Sequence, residues 1–270
     1  MIRAPLSTTA VLDESAEVVN LTAAPWIGVL LLTSMPWRFM QVLFFDRLME
    51  VGTNAPRYGN LLHDTANLTI AAFVVALWGR AVYARACRLA ASRGVTPGRE
   101  ALRVPGPALG SYMFTGALAE LIRWTTSITC FGIPVALAFG GLAIGTMELN
   151  ERAGIAGPLG HIRKYSGRLR IVVALMFVFA AAFLVALVNV AMAFSLGMWL
   201  VSAIGGVELP AWEVLLSARN RRFLLLWFAG ALLVIEPFWI AANVMLVRKA
   251  GAEESGDDLR GWFREVGGSA

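Results

Sequence analysis

Two cysteines, two histidines and two lysines among 270 residues leave little material for the commoner soluble chemistries. Cys87 and Cys130 lie far apart in apolar surroundings, form no CxxC pair and have no histidine nearby, which excludes a disulfide framework and a thiolate zinc site. They read as small buried hydrophobes. His63 and His161 fall in predicted loops, so no Ser–His pair can form within a membrane segment, and no HExxH, Walker-type loop, GxGxxG or GxSxG occurs. Paired aspartates inside apolar segments are missing as well, unless Asp46 at a border is counted. The sequence therefore predicts no catalytic residue, no metal site and no cofactor, and the chain reads as something other than an enzyme. Although the net charge is +5, no basic run has the form of a nucleic-acid stripe.

The scarcest commodity is charge. Charged residues make up 15% and hydrophobic ones 58%, with mean hydropathy +0.67; a soluble chain runs near 25% and 45–50%. Too little polar surface remains to keep such a chain in water, and an all-α membrane protein is expected. The Arg-, Ala- and Gly-rich composition fits a bacterial genome of high GC content, hence a bacterial inner membrane. Asp13, Glu14 and Glu17 do not suit a signal peptide, so the first apolar segment is expected to stay.

About 20 apolar residues cross a bilayer. Candidate spans are 25–45, 66–86, a stretch from Pro107 to Met147 that turns at Thr125-Thr126-Ser127 to give two, 170–207 and 223–247. The fifth overshoots the hydrocarbon core and is expected to leave it near Ser195-Leu196-Gly197. Six spans with both termini cytoplasmic put 16 basic residues inside and 5 outside, a clear positive-inside bias. Five spans would put the cluster from Arg152 to Arg170 outside, against that rule. Three layers of organisation follow: an interfacial helix over 1–24, a transmembrane helical domain over 25–248, and an amphipathic cytoplasmic tail over 249–270. In the first, Leu12, Ala16 and Val19 share a face; in the last, Leu259, Trp262, Phe263 and Val266 do. Segments 11–21, 97–110 and 157–170 each precede a span, a weak threefold pattern of surface helix plus hairpin. Membrane lipids and other inner-membrane proteins, or a second copy of the chain, are the expected partners.

The closing stretch IEPFWIAANVMLVRKAGAEESGDDLRGWF, with Pro237, Arg248, Glu254, Gly256, Asp258 and Leu259, resembles the end of the glycerophosphodiester phosphodiesterase membrane domain and its six-span relatives. The internal stretches ALWGRAVYARACRLAASRGVTPGREALR and IPVALAFGGLAIGTMELNERAGIAGPLGHIRKYSGRLR resemble that family's second and fourth spans with the loops that follow. The chain departs from the pattern at Val247-Arg248-Lys249, where a Tyr/Asp-containing element is usual. Nothing resembles the soluble phosphodiesterase barrel. The resemblance implies a six-helix membrane module that is not itself catalytic.

Charge inside the membrane is costly and marks the candidate sites. Glu236 sits near the middle of the last span, followed by Pro237, which cannot bond the carbonyl of Leu233. Two readings stand: a carboxylate lining a transport pathway, or a tie to an arginine, with Arg80 and Arg123 as the first candidates. Glu120 and Arg123 can pair at i, i+3, and with Arg38 they form either a structural ion cluster or an anion site. Arg80, Arg85 and Arg88 are placed to snorkel toward lipid headgroups. Gly141 and Gly145, extended by Ala136 and Gly140, offer a close helix-packing face, and Asn189 and Asn243 are expected to bond across helices. Trp26, Trp37, Trp199 and Trp212 fit interfacial belts.

Overall fold

Every regular element of the described residues is helical in the computed structural model, which describes residues 6–23, 25–51, 55–126, 132–147, 168–206, 208, 212–217 and 219–256. Helix α1 (Thr8–Thr22) starts at Ser7, whose hydroxyl accepts the Ala10 N–H at 3.1 Å and so satisfies one of the open amides of the first turn. Helix α2 (Pro25–Val51) opens on a proline, where the missing N–H costs nothing. Helix α3 (Ala55–Arg93) stops at Gly94, whose φ of +68° allows its N–H to fold back on the Ala90 carbonyl at 2.7 Å. A 3₁₀ turn (Arg99–Leu102) leads to α4 (Gly106–Thr126) and α5 (Gly132–Gly145). Then come α6 (Leu169–Gly205), the single turn α7 (Trp212–Leu215) and α8 (Arg221–Ser255).

Four of these helices are long and apolar enough to cross a membrane: Pro25–Met49, Asn60–Arg93, Arg170–Gly205 and Arg221–Glu253. That is compatible with a multi-pass membrane protein. The expected third and fourth spans correspond to α4 and α5. The helices are longer than hydropathy alone foretold. Helix α3, expected over 66–86, has 39 residues, about 58 Å at 1.5 Å per residue. It takes in His63, which was expected in a loop, and most of the outer segment 48–62 is helix at the ends of α2 and α3. Helix α6 has 37 residues and does not break at Ser195–Gly197; Gly197 stands in open space. The tail helix over 257–266 and most of the basic segment 157–170 lie outside the described residues, as do Cys130 and His161.

The chain divides into two compact units. The first comprises Met1–Leu30, Leu77–Phe177 and Pro237–Ala270. Its core is built on small residues of α3 (Ala81, Ala84, Ala86, Cys87, Ala90) facing Val11 and Val18 of α1 and the run Ile240–Val247 of α8, all buried. Buried Thr22 and Tyr83 meet hydroxyl to hydroxyl at 3.3 Å. The buried stripe of α1 is Val11, Ser15, Val18, Val19 and Thr22, while Ala16 is exposed, so the packed face is rotated from the one predicted. Trp26 and Trp37 pack against the protein. Both are buried, Trp26 donating its indole N–H to the Pro97 carbonyl at 3.0 Å in this unit, whereas Trp199 is exposed.

The second unit comprises Leu31–Ala76 and Val178–Glu236. Within it Trp37 of α2 meets Phe73 of α3 at 5.2 Å, and the Thr69 hydroxyl donates to the Met40 carbonyl at 3.3 Å. Phe183 and Phe194 of α6 meet Phe228 and Phe223 of α8 at 5.9 and 5.7 Å. Both helix pairs therefore run antiparallel.

Candidate functional site

In the second unit most of the buried positions of helix α2 are polar, while large apolar side chains are exposed. Within the second unit its buried side chains include Thr33, Ser34, Trp37, Arg38 and Asp46, while Leu32, Met35, Phe39 and Met49 are 51–77% exposed. In water that arrangement would be unstable, because apolar area would face solvent while charges were desolvated. In hydrocarbon it is the favoured one: lipid covers the apolar face and polar groups satisfy each other between helices.

Glu236 of α8 completes the polar face. Its carboxylate accepts the Ser34 hydroxyl at 3.3 Å and lies 3.8 Å from the Arg38 guanidinium, with Glu236 and Arg38 both only 7% exposed. Arg38 also donates to the Gln41 carboxamide at 3.3 Å and covers the Trp37 ring with its guanidinium carbon 4.2 Å from the centroid. The buried guanidinium thus has a carboxylate, an amide oxygen and a π face. The sequence expectation named Arg80 and Arg123 as first candidates; within this unit Arg38 is a partner of Glu236. The polar residues that sequence reasoning missed are Ser34 and Gln41. Thr33, Ser34, Arg38 and Gln41 do recur on one side of a 3.6-residue helix, a signal hidden by the apolar residues between them.

A second contact lies further along the same pair of helices. Asp46, 3% exposed, takes Arg222 at 2.6 Å and Arg221 at 3.3 Å, both arginines being about half-exposed. Two cations in the first turn of α8 oppose the helix dipole, and the Asp46 carboxylate offsets them. The cap is completed by the Asn220 carboxamide oxygen, which accepts the Phe223 N–H at 3.4 Å. A buried carboxylate met by an arginine offers no open nucleophile or base; it can hold helices or, if the pair opens, exchange a proton.

The other predicted residues distribute as follows. Gly141 and Gly145 of α5 lie against α8 in the first unit. A Cβ on Gly141 would overlap the Asn243 side chain, and one on Gly145 would stand 2.6 Å from the Asn243 backbone carbonyl. Asn243 donates its amide to the Trp239 carbonyl at 2.8 Å and Asn189 to the Val185 carbonyl at 3.0 Å, each of these bonds lying within its own helix. Glu120 is half-buried on α4; the side chain of Arg123 lies outside the described residues. Arg85 donates to the Glu100 carbonyl at 3.2 Å, tying α3 to the 3₁₀ turn, and Arg80 and Arg88 are half-buried on the same helix. Outside the apolar segments, the Glu100 carboxyl is held below its ordinary value by its own and Gly98's backbone N–H groups, and by Arg93 at 2.5 Å. No group of three metal-ligating side chains occurs among the described residues.

Comparison with protein-family models, curated proteins and solved structures finds no match to this chain.

Proposed function

We propose that this chain is a non-catalytic, multi-pass scaffold or accessory subunit of a bacterial inner-membrane assembly, with six spans and both termini in the cytoplasm. The observation that carries the reading is the engagement of Glu236: the intramembrane acid with the best claim to a transport role is buried and held by Ser34 and Arg38 of its own chain. A scaffold needs helices fixed against one another and an outer surface for partners. Helix α6 offers such a surface, with Phe177, Val185, Val188, Met192, Trp199 and Ile204 all 60–84% exposed along its length. The 16-to-5 basic asymmetry supports the orientation, and the likeness of the closing stretch to six-span phosphodiesterase membrane domains agrees with a non-catalytic module.

The runner-up is a small-solute or lipid-handling transporter that opens the Arg38–Glu236 pair during its cycle. Reconstitution separates the two. As a scaffold, the charge-free double variant Arg38→Gln/Glu236→Gln keeps its cross-links from photoreactive residues on α6 to the same membrane partner in cells. A stable variant that keeps those cross-links but loses flux of a defined solute overturns the scaffold reading. The topology is tested with an impermeant thiol reagent: a cysteine at Gly251 stays unlabelled in intact cells and one at Arg57 reacts.

A further inference from the structure

The cytoplasmic ends of the helices hold a cavity that the buried polar face does not use. It lies wholly within the first unit, has a volume of about 200 Å³, and is lined by one face each of α1, α3 and α8. From α1 come Glu14, Glu17, Val18 and Leu21, at helical spacings of i, i+3, i+4 and i+7. From α8 come Met245, Arg248, Lys249, Ala252 and Glu253, in the same rhythm. The last turn of α3 contributes Ala90, Ala91 and Gly94. The lining is both charged and apolar.

Two of the carboxylates are already engaged. Glu14 takes Lys249 at 2.8 Å; Glu253 takes Arg168 at 3.0 Å and the Leu6 N–H at 3.1 Å. These contacts fix α1 against the end of α8 and hold the cavity open. Glu17 is exposed and has no hydrogen-bond or ion partner among the described residues. Beside it on the lining is the carboxyl end of α3, whose last carbonyls carry the negative end of the helix dipole. Arg93, the cation of that turn, is drawn away to Glu100. One part of the cavity is thus suited to an ammonium, and half-buried Arg248 supplies a guanidinium suited to a phosphate.

We propose that this cavity binds the headgroup of an aminophospholipid, its ammonium on Glu17 and the α3 carbonyl end and its phosphodiester on Arg248. The site rests on the membrane reading proposed above. Size and depth agree: about 200 Å³ admits a small polar headgroup, and α3 and α8 leave their apolar segments at Arg93 and Glu253, where the proposed membrane places headgroups. Val18, Leu21 and Met245 offer a path for the glycerol and upper acyl chain. Among the described residues no aromatic ring lines the cavity, so they offer a quaternary ammonium no cation–π cage, and phosphatidylcholine is disfavoured.

The test is native mass spectrometry of the full chain released from nanodiscs that hold phosphatidylethanolamine, phosphatidylcholine and phosphatidylglycerol with matched acyl chains. The expected result is retention of the ethanolamine lipid over the other two by about tenfold, the worth of one charge-assisted hydrogen bond. Glu17→Gln abolishes that preference, and Arg248→Gln lowers retention of the ethanolamine and choline lipids together. Glu17 has no partner to lose, so its variant keeps the wild-type melting temperature. Equal retention of the ethanolamine and choline lipids, or an unchanged preference in Glu17→Gln, overturns the site. Free O-phosphoethanolamine is the second arm: competition at the concentration that the lipid itself requires makes the ligand a soluble metabolite and also overturns it. Recovery of the chain from cells in the aqueous fraction without detergent overturns the membrane reading instead, so the two failures are distinguishable.

Discussion

Glutamine in place of Glu236 keeps the shape of the side chain and an oxygen for the Ser34 hydroxyl, and removes only the charge that faces Arg38 at 3.8 Å. At that separation two unit charges attract by about 4 kcal/mol at an effective dielectric of about 20. Breaking a buried pair from one side costs about 3–5 kcal/mol in soluble proteins. Arg38 has some compensation left in Gln41 at 3.3 Å and the Trp37 ring at 4.2 Å, which sets the expected loss at the low end, about 2–3 kcal/mol. With about 2–4 °C per kcal/mol for a chain of this size, melting followed by tryptophan fluorescence in mild detergent falls by about 4–12 °C. Arg38→Gln alone costs at least as much, because the carboxylate is then buried beside a neutral partner. The double variant recovers part of the loss, and the coupling in the cycle exceeds the error of additivity, about 0.5 kcal/mol. Salt leaves the difference unchanged, since a pair 7% exposed on both sides is poorly screened. Additive losses, or Glu236→Gln with wild-type melting, would refute the pair as a structural tie.

Asp46 has two arginines, so Arg221→Gln or Arg222→Gln alone lowers stability by less than about 1 kcal/mol, while the double change equals Asp46→Asn in a thermal-shift assay. Gly145→Ala costs more than Gly141→Ala, because the new methyl meets a backbone carbonyl at 2.6 Å in the first case and a side-chain amide that can rotate in the second; overpacking of this kind costs about 1–3 kcal/mol. The Glu100 carboxyl is lowered in the folded state, so its contribution to the 3₁₀ turn is complete above the ordinary value of 4.5 and is lost as pH falls through the lowered one. Amide exchange of residues 99–103 rises across that acid window in the wild type and shows no such step in Glu100→Gln.

Hydropathy reads the bilayer and not the helix, which explains which expectations met the structure and which did not. The long apolar helices were legible because composition and length suffice for them. The extension of α3 through YARACRLAASR was not: those residues favour helix strongly while failing any test of apolarity. Helix α6 continues through Ser195–Gly197, where the sequence places the exit from the hydrocarbon; an exposed glycine costs only about 1 kcal/mol, too little to end a 37-residue helix. The face of α1 was misread because Ser15 and Thr22 are buried with their hydroxyls turned back onto the carbonyls of Val11 and Val18, so polar residues sit on its packed side. The acid at Glu236 was legible as a singular residue. Its contact with Arg38 was not, since Arg38 is nearly 200 positions away and only the pairing of α2 with α8 brings the two together.

That pairing also bears on the number of spans. In the second unit α2 runs antiparallel to α3 through Trp37–Phe73 and Met40–Thr69, and antiparallel to α8 through Glu236 and Asp46. Helix α6 runs antiparallel to α8 through its phenylalanines. Helices α2 and α6 therefore point one way and α3 and α8 the other. In the six-span proposal α4 and α5 cross as a pair between α3 and α6, which agrees with these directions. Helix α4 has 21 residues, about 31 Å at 1.5 Å per residue, which matches a hydrocarbon core of about 30 Å. Gly141 and Gly145 bring α5 against Asn243 and Val247 of α8. The length of α4 agrees with the proposal that this pair spans the membrane.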